Sequence, residues 1–118
     1  MSTELPPQAQ HQLAQLQQVQ QQAQAIFGQK NQVEMILRET ERALEELKKL
    51  DDNAVVYKGV GELLIKSEKG STQVELSDKK ETLDLRLKSL ERQEKKIQER
   101  FQELQEQLLP LMRKEGSN

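Results

Sequence analysis

Leu83, Leu90, Ile97, Leu104 and Leu111 recur every seven residues, and Leu87, Phe101 and Leu108 fill most of the interleaved positions, with Glu94 the exception. That spacing keeps one apolar stripe along one side of a helix, as the a and d positions of a coiled coil do. The first half of the chain carries a matching pair of series: Leu16, Ala23, Lys30, Leu37 and Leu44, then Val19, Ile26, Val33, Thr40 and Leu47 three residues behind. Two such seams on one chain of 118 residues cover each other if the second helix folds back on the first, which gives a long antiparallel two-helix coiled coil. A compact globule is not the alternative, because 34% apolar, 3% aromatic and 32% charged residues cannot supply its core. Disorder would suit the same composition, but a disordered chain has no need of a seven-residue apolar period.

Local signals set the limits of the two arms. Pro6 and Pro7 fix φ near the helical value and lack an N–H that the first turn leaves unpaired anyway, so the first helix is expected over residues 8–51. It closes at Asp51–Asn53, whose short side chains compete for backbone hydrogen bonds. The second is expected over 78–110, with Asp78 as N-cap and Glu81 completing a capping box. Pro110 is expected to end it near Leu109 and leave 111–118 as a frayed tail. Layering the apolar positions sets Leu47 near Leu83, Thr40 near Leu90, Val33 near Ile97, Ile26 near Leu104 and Val19 near Leu111, with a one-heptad slip as the competitor. Lys30 and Glu94 then fall in neighbouring layers, where long side chains snorkel and fix alignment at some cost in stability. The glutamines between Gln8 and Gln32 read as a solvated helix surface, and Gly28 falls outside the seam.

Between the arms, residues 54–77 are the one segment with strand character. "VVYKGVGELLIKS" is rich in β-branched and bulky apolar residues, "EKG" supplies a turn at Gly70, and "STQVEL" resumes the pattern, so one β-hairpin is expected. A lone two-stranded hairpin is marginal in water, and Leu63, Leu64 and Ile65 in succession place apolar groups on both of its faces. It therefore serves as an assembly element, with Val55, Val56, Tyr57, Val60, Leu63, Leu64, Ile65, Val74 and Leu76 joining hairpins of other subunits into a multi-subunit β-barrel platform. At the opposite limit of the arms the first helix is expected to outrun the second. That leaves Leu13, Leu16 and Val19 incompletely covered beside Leu108, Leu109, Leu111 and Met112, an apolar tip that serves interaction or else packs on a neighbouring rod or on itself.

Several chemistries lack the residues they need. "GVG" has neither the third glycine of a dinucleotide fingerprint nor the Lys-Ser/Thr ending of a P-loop, and strand bends account for Gly59 and Gly61. His11 is the only histidine and has no carboxylate within one turn, and carboxylate pairs such as Glu45/Glu46 lie on solvated faces without convergent partners. The absence of cysteine excludes disulfides and thiolate metal sites. No enzyme activity, cofactor or metal is expected. A formal net charge of -2 with interleaved signs gives no field for nucleic acid or anionic lipid, and no run is long enough to span a bilayer. A cytoplasmic location is the expectation.

The order helix, single hairpin, helix, together with "ELPPQAQ", "ETERALEEL", "VYKGVGELLIK" and "KKETLDLRLKSLERQEKKIQERFQELQ", resembles the beta subunits of archaeal-type prefoldin over nearly the whole chain. The connector is too short for the two hairpins of that family's alpha subunits. The resemblance implies an ATP-independent chaperone, a hexamer of two alpha and four beta subunits. In it, hairpins build a double β-barrel, and coiled-coil tips hold non-native polypeptides for delivery to a group II chaperonin. Carried onto this sequence, the platform element is 55–76 and the tip is Leu13, Leu16 and Val19 with Leu108, Leu111 and Met112. The competing reading is a structural or tethering coiled coil with a fixed partner, and a nucleic-acid scaffold is the third.

Overall fold

The computed structural model describes residues 5–116, with side chains to residue 113. In chain order it has α1 (Pro7–Lys48), β1 (Val55–Val60), β2 (Leu63–Glu68) and α2 (Lys69–Gly116). Two long helices with an antiparallel two-stranded hairpin between them are thus the whole regular structure of the described residues. The chain forms two compact units, Met1–Lys30 with Ser89–Asn118, and Asn31–Lys88.

Pro7 opens α1 as its first residue, and the Gln10 amide already donates to the Pro6 carbonyl at 3.0 Å. The helix ends at Lys48, three residues short of the expected 51, and tighter i→i−3 bonds close it, from the Lys49 amide to the Glu46 carbonyl at 3.3 Å and from the Leu50 amide to the Leu47 carbonyl at 3.1 Å. A turn follows in which Ala54 N–H donates to the Asp51 carbonyl at 3.0 Å. The stripe expected from the heptads is the buried one: Val19 is buried in one unit, and Val33, Leu37, Thr40 and Leu47 in the other. Thr40, a polar residue at a seam position, donates its hydroxyl to the Ile36 carbonyl at 2.8 Å, which removes the penalty of burying it.

The hairpin differs from expectation in its turn and its second strand. Val55 pairs with Glu68 and Val60 with Leu63, so the loop is only Gly61–Glu62. Gly61 takes a φ of 59°, and a glycine with positive φ at the first of two loop residues is the signature of a II′ turn, whose twist matches that of the strands. Gly70 is not in the turn but in the first turn of α2. Consequently Val74 and Leu76 lie on α2, and the expected start at Asp78 with its capping box is also corrected. The reason is the heptad itself. Leu76 stands seven before Leu83, and Gln73 and Lys80 continue the Leu87 series; all three are half-buried. Covering that extra stretch of seam outweighs the local strand preference of "STQVEL".

At the other limit of α2 the expected stop near Leu109 and the frayed tail from Leu111 are corrected as well, since the helix continues through Pro110 to Gly116; residues 117–118 lie outside the described ones. Proline leaves the Glu106 carbonyl without its usual donor. The helix persists because Leu104 and Leu108 on one side of it are buried and Leu111 half-buried, while Pro110 itself faces outward. Pro110→Ala is expected to slow amide exchange across Leu109–Arg113 and to stabilise by about 1 kcal/mol, less than the full ~3 kcal/mol of an interior position because helix ends fray. Unchanged exchange there would mean that the segment is held by something other than its backbone bonds.

The relative alignment of the helices also differs. In the first unit Ile97 lines clefts with Ala23 and Ile26, where the layering placed it opposite Val33, and Phe101 lies by Gln20, Ala23 and Gln24. In the second unit Ser77 and Lys80 face Leu44, Glu45 and Lys48. Each segment of α1 therefore meets α2 about two to three turns earlier than expected. The slip follows from the nine residues that α2 gains at its start. It also brings Lys30 and Glu94 into an ion pair at 3.2 Å, so the two charged interruptions of the seam satisfy each other.

Candidate functional site

The hairpin is built so that it cannot hide its own side chains. Cross-strand partners share a face, so Val55, Tyr57 and Leu64 lie on one side and Val56, Val60, Leu63 and Ile65 on the other. The second face turns toward α2, where Ser67 and Thr72 hydroxyls meet at 3.0 Å and Lys58 reaches Glu75 at 2.7 Å. Lys69 ties the start of α2 to the loop after α1, donating to the Leu50 carbonyl at 2.7 Å and pairing with Asp52 at 3.3 Å. These polar links orient the hairpin but cover little of it. Leu64 remains 76% exposed and Tyr57 65%, and Val55, Val60, Leu63 and Ile65 are exposed as well; Val56 is half-buried. Neither strand has a second neighbour among the described residues, so both edges offer free backbone donors and acceptors. Of the two expected assembly residues now on the helix, Val74 is exposed and Leu76 is half-buried in the seam.

The apolar tip is rearranged relative to expectation. Val19 and Leu108 are buried, and Ala9 is fully so. The first helix therefore does not outrun the second, because α2 extends beyond Pro110. Leu13, Leu16 and Leu111 are half-buried, and the exposed apolar groups are Met112 and Leu109, three residues apart on the outer side of α2. Ala9 and Gln12, the latter half-buried with its carbonyl oxygen enclosed and unpartnered, were not singled out from the sequence. The signal was there, since they stand seven residues before Leu16 and Val19.

Among the described residues no group of three or more His, Asp or Glu side chains could hold a metal ion, and no helix is long and apolar enough to cross a membrane. What the surface offers is apolar side chains and open strand edges, which bind other polypeptides. An open two-stranded sheet with apolar faces, inserted between two heptad-patterned helices, marks a subunit of a multi-chain assembly built on coiled coils.

Comparison with known proteins gives that class its family. The family model described as prefoldin subunit matches residues 10–115. The prefoldin subunit beta of Methanococcoides burtonii is 58% identical over 116 residues, covering 98% of this chain and 99% of its own. That of Methanothrix thermoacetophila is 56% identical, covering 92% and 90%. The crystal structure of the prefoldin beta subunit from Thermococcus strain KS-1 superposes with a TM-score of 0.82 at 47% identity, over 91% of this chain and 94% of that one. The chain belongs to the prefoldin family, and within it to the neighbourhood of the beta subunits. Its role is accordingly of chaperone type, as one member of a hetero-oligomeric assembly, in a family of non-enzymatic subunits.

Proposed function

We propose that the chain is one of four beta subunits that join two alpha subunits in a hexamer. Its hairpin forms part of a double β-barrel platform, and its helix tip captures non-native polypeptides and passes them to a group II chaperonin in the cytoplasm, without ATP or any other cofactor. The observation that carries the capture step is the exposure of Leu109 and Met112 beside half-buried Leu13, Leu16 and Leu111. Val19 and Leu108 are buried and so are not part of that exposed patch. A non-native chain exposes apolar side chains without fixed geometry, which a small apolar patch with a flexible methionine can meet. Each such contact is weak. Several tips engaging one client raise avidity by about 10²- to 10⁴-fold with no new contact, so nucleotide energy is not needed for holding. Release requires only a receptor that competes better for client or tip.

The test is suppression of aggregation of several unrelated denatured proteins by the assembled complex. Changing Leu109 and Met112 to Ser, and separately Leu13 and Leu16, is expected to weaken each tip about tenfold by removing apolar area. Helicity and assembly should be retained by the Leu109/Met112 variant. Retained suppression by both variants would locate the client site elsewhere, and suppression limited to one particular protein would favour a tethering role.

A further inference from the structure

One flank of the second unit carries charges that the rest of the chain does not use. Arg38, Arg42, Lys48 and Lys80 line an open cleft of 660 Å³ between α1 and the start of α2, with Glu41 and Glu45 as its carboxylates. Glu45 already pairs with Lys48 at 3.2 Å. Arg38, Arg42 and Lys80 make no ion pair among the described residues, which leaves three cations facing Glu41. Met35, exposed and one turn before Arg38, continues the same side of α1.

The complement to this cleft lies on the same chain. Val74, Asp78, Glu81 and Leu85 are spaced four, three and four residues apart and so share one face of α2. Val74 is 62% exposed and Leu85 61%, and Asp78 and Glu81 between them are exposed carboxylates with no ion pair among the described residues. Arg38 and Arg42 stand one helical turn apart, as Asp78 and Glu81 do, so the two sets match in spacing as well as in sign. Both surfaces belong to the unit that carries the hairpin, and Lys58–Glu75 at 2.7 Å links the hairpin to α2 one residue from Val74.

We propose that these surfaces form a second contact between copies of this chain: Asp78 and Glu81 of one copy, framed by Val74 and Leu85, enter the Arg38–Arg42–Lys80 cleft of a neighbouring copy. The contact rests on the reading that hairpins join subunits, and it continues that interface along the adjoining helices. Hairpin pairing brings copies together, and the charged contact sets which flank each turns to the next. Complementary charge is well suited to that task, because like charges brought together by a wrong arrangement cost several kcal/mol while the right one costs little.

Charge exchange tests it. One variant reverses the stripe (Asp78→Arg with Glu81→Arg) and another reverses the cleft (Arg38→Glu with Arg42→Glu). The mass distribution of the chain is measured alone and with a prefoldin alpha subunit. Each variant by itself is expected to lose association about tenfold or more. An equal mixture of the two is expected to recover it, since the basic stripe of one fits the acidic cleft of the other. Parental association should weaken as salt rises from about 0.1 M to about 1 M, where the screening length falls from ~10 Å to ~3 Å. The proposal is overturned if both variants associate like the parent, alone and with the alpha subunit, or if mixing restores nothing while both remain helical. Failure of the hairpin reading looks different: there, charge introduced at Leu64 and Ile65 leaves the assembly intact.

Discussion

Leu64→Asp with Ile65→Asp is expected to leave α1 and α2 helical and to abolish incorporation into the multi-chain assembly. The two side chains point to opposite faces of the hairpin, and both are exposed in the single chain, Leu64 at 76% and Ile65 at 47%, so the substitution removes little that the monomer's own fold needs. In an assembled sheet each position would be covered, and a carboxylate there costs at least several kcal/mol when no cation meets it. Association should weaken by more than about a hundredfold, read as a shift to lone chains by sedimentation or native mass at constant circular dichroism. The balance for the parent hairpin bears on how many hairpins an assembled sheet would need. Its six exposed apolar side chains, half covered on average, contribute on the order of 1–1.5 kcal/mol each. That sum is comparable with the 4–15 kcal/mol lost in bringing two molecules together. A single hairpin pair is therefore marginal, and closure of a sheet with shared edges favours the larger assembly. Retention of the variant in the complex at parental strength would remove the hairpin from the interface.

Leu104→Ala is expected to be the most damaging single truncation in the helices. Leu104 is 1% exposed, the most enclosed large side chain among the described residues. Its removal loses apolar burial and leaves a void, together about 2–5 kcal/mol. A coiled coil of two helices has no second core layer to absorb the loss, so the value should fall in the upper half of that range. Thermal unfolding followed at the helix signal reads it directly, with Leu85→Ala as the control. Leu85 occupies the outward side of the same helix and is 61% exposed, so its truncation should change monomer stability by less than about 0.5 kcal/mol. Equal losses for the two substitutions would contradict the placement of the seam.

The seam was legible in the sequence because it repeats. A period of seven sustained over many turns points to a coiled-coil seam, and the positions it marked are buried, as Val33, Leu37, Leu90 and Leu104 are, or half-buried, with Ala23 the exposed exception. The hairpin was legible as an element but not in its turn. "STQVEL" alternates apolar and polar residues as a strand does, yet Leu76 is also seven before Leu83, and over six residues the two periods cannot be told apart. The decisive mark was the Gly-Glu pair between two apolar runs, a two-residue loop led by glycine. Reading Gly61 as a strand bend moved the turn by nine residues to Gly70. The error then propagated into the helix alignment and into the tip. Pro110 misled for a different reason: local rules end a helix there, and tertiary burial of Leu108 and half-burial of Leu111 carry it onward. Which apolar residues near the helix ends face outward depends on alignment between helices that neither helix encodes by itself.

A sheet that is greasy on both sides makes each copy a hazard until it finds companions. Lys58 and Lys66 on the strands temper that hazard with charge, as edge lysines do in other proteins, without removing it. The supply of this chain in a cell is thereby bound to the supply of the molecules it joins. Copies made in surplus would carry that uncovered apolar sheet into contact with whatever else is in solution.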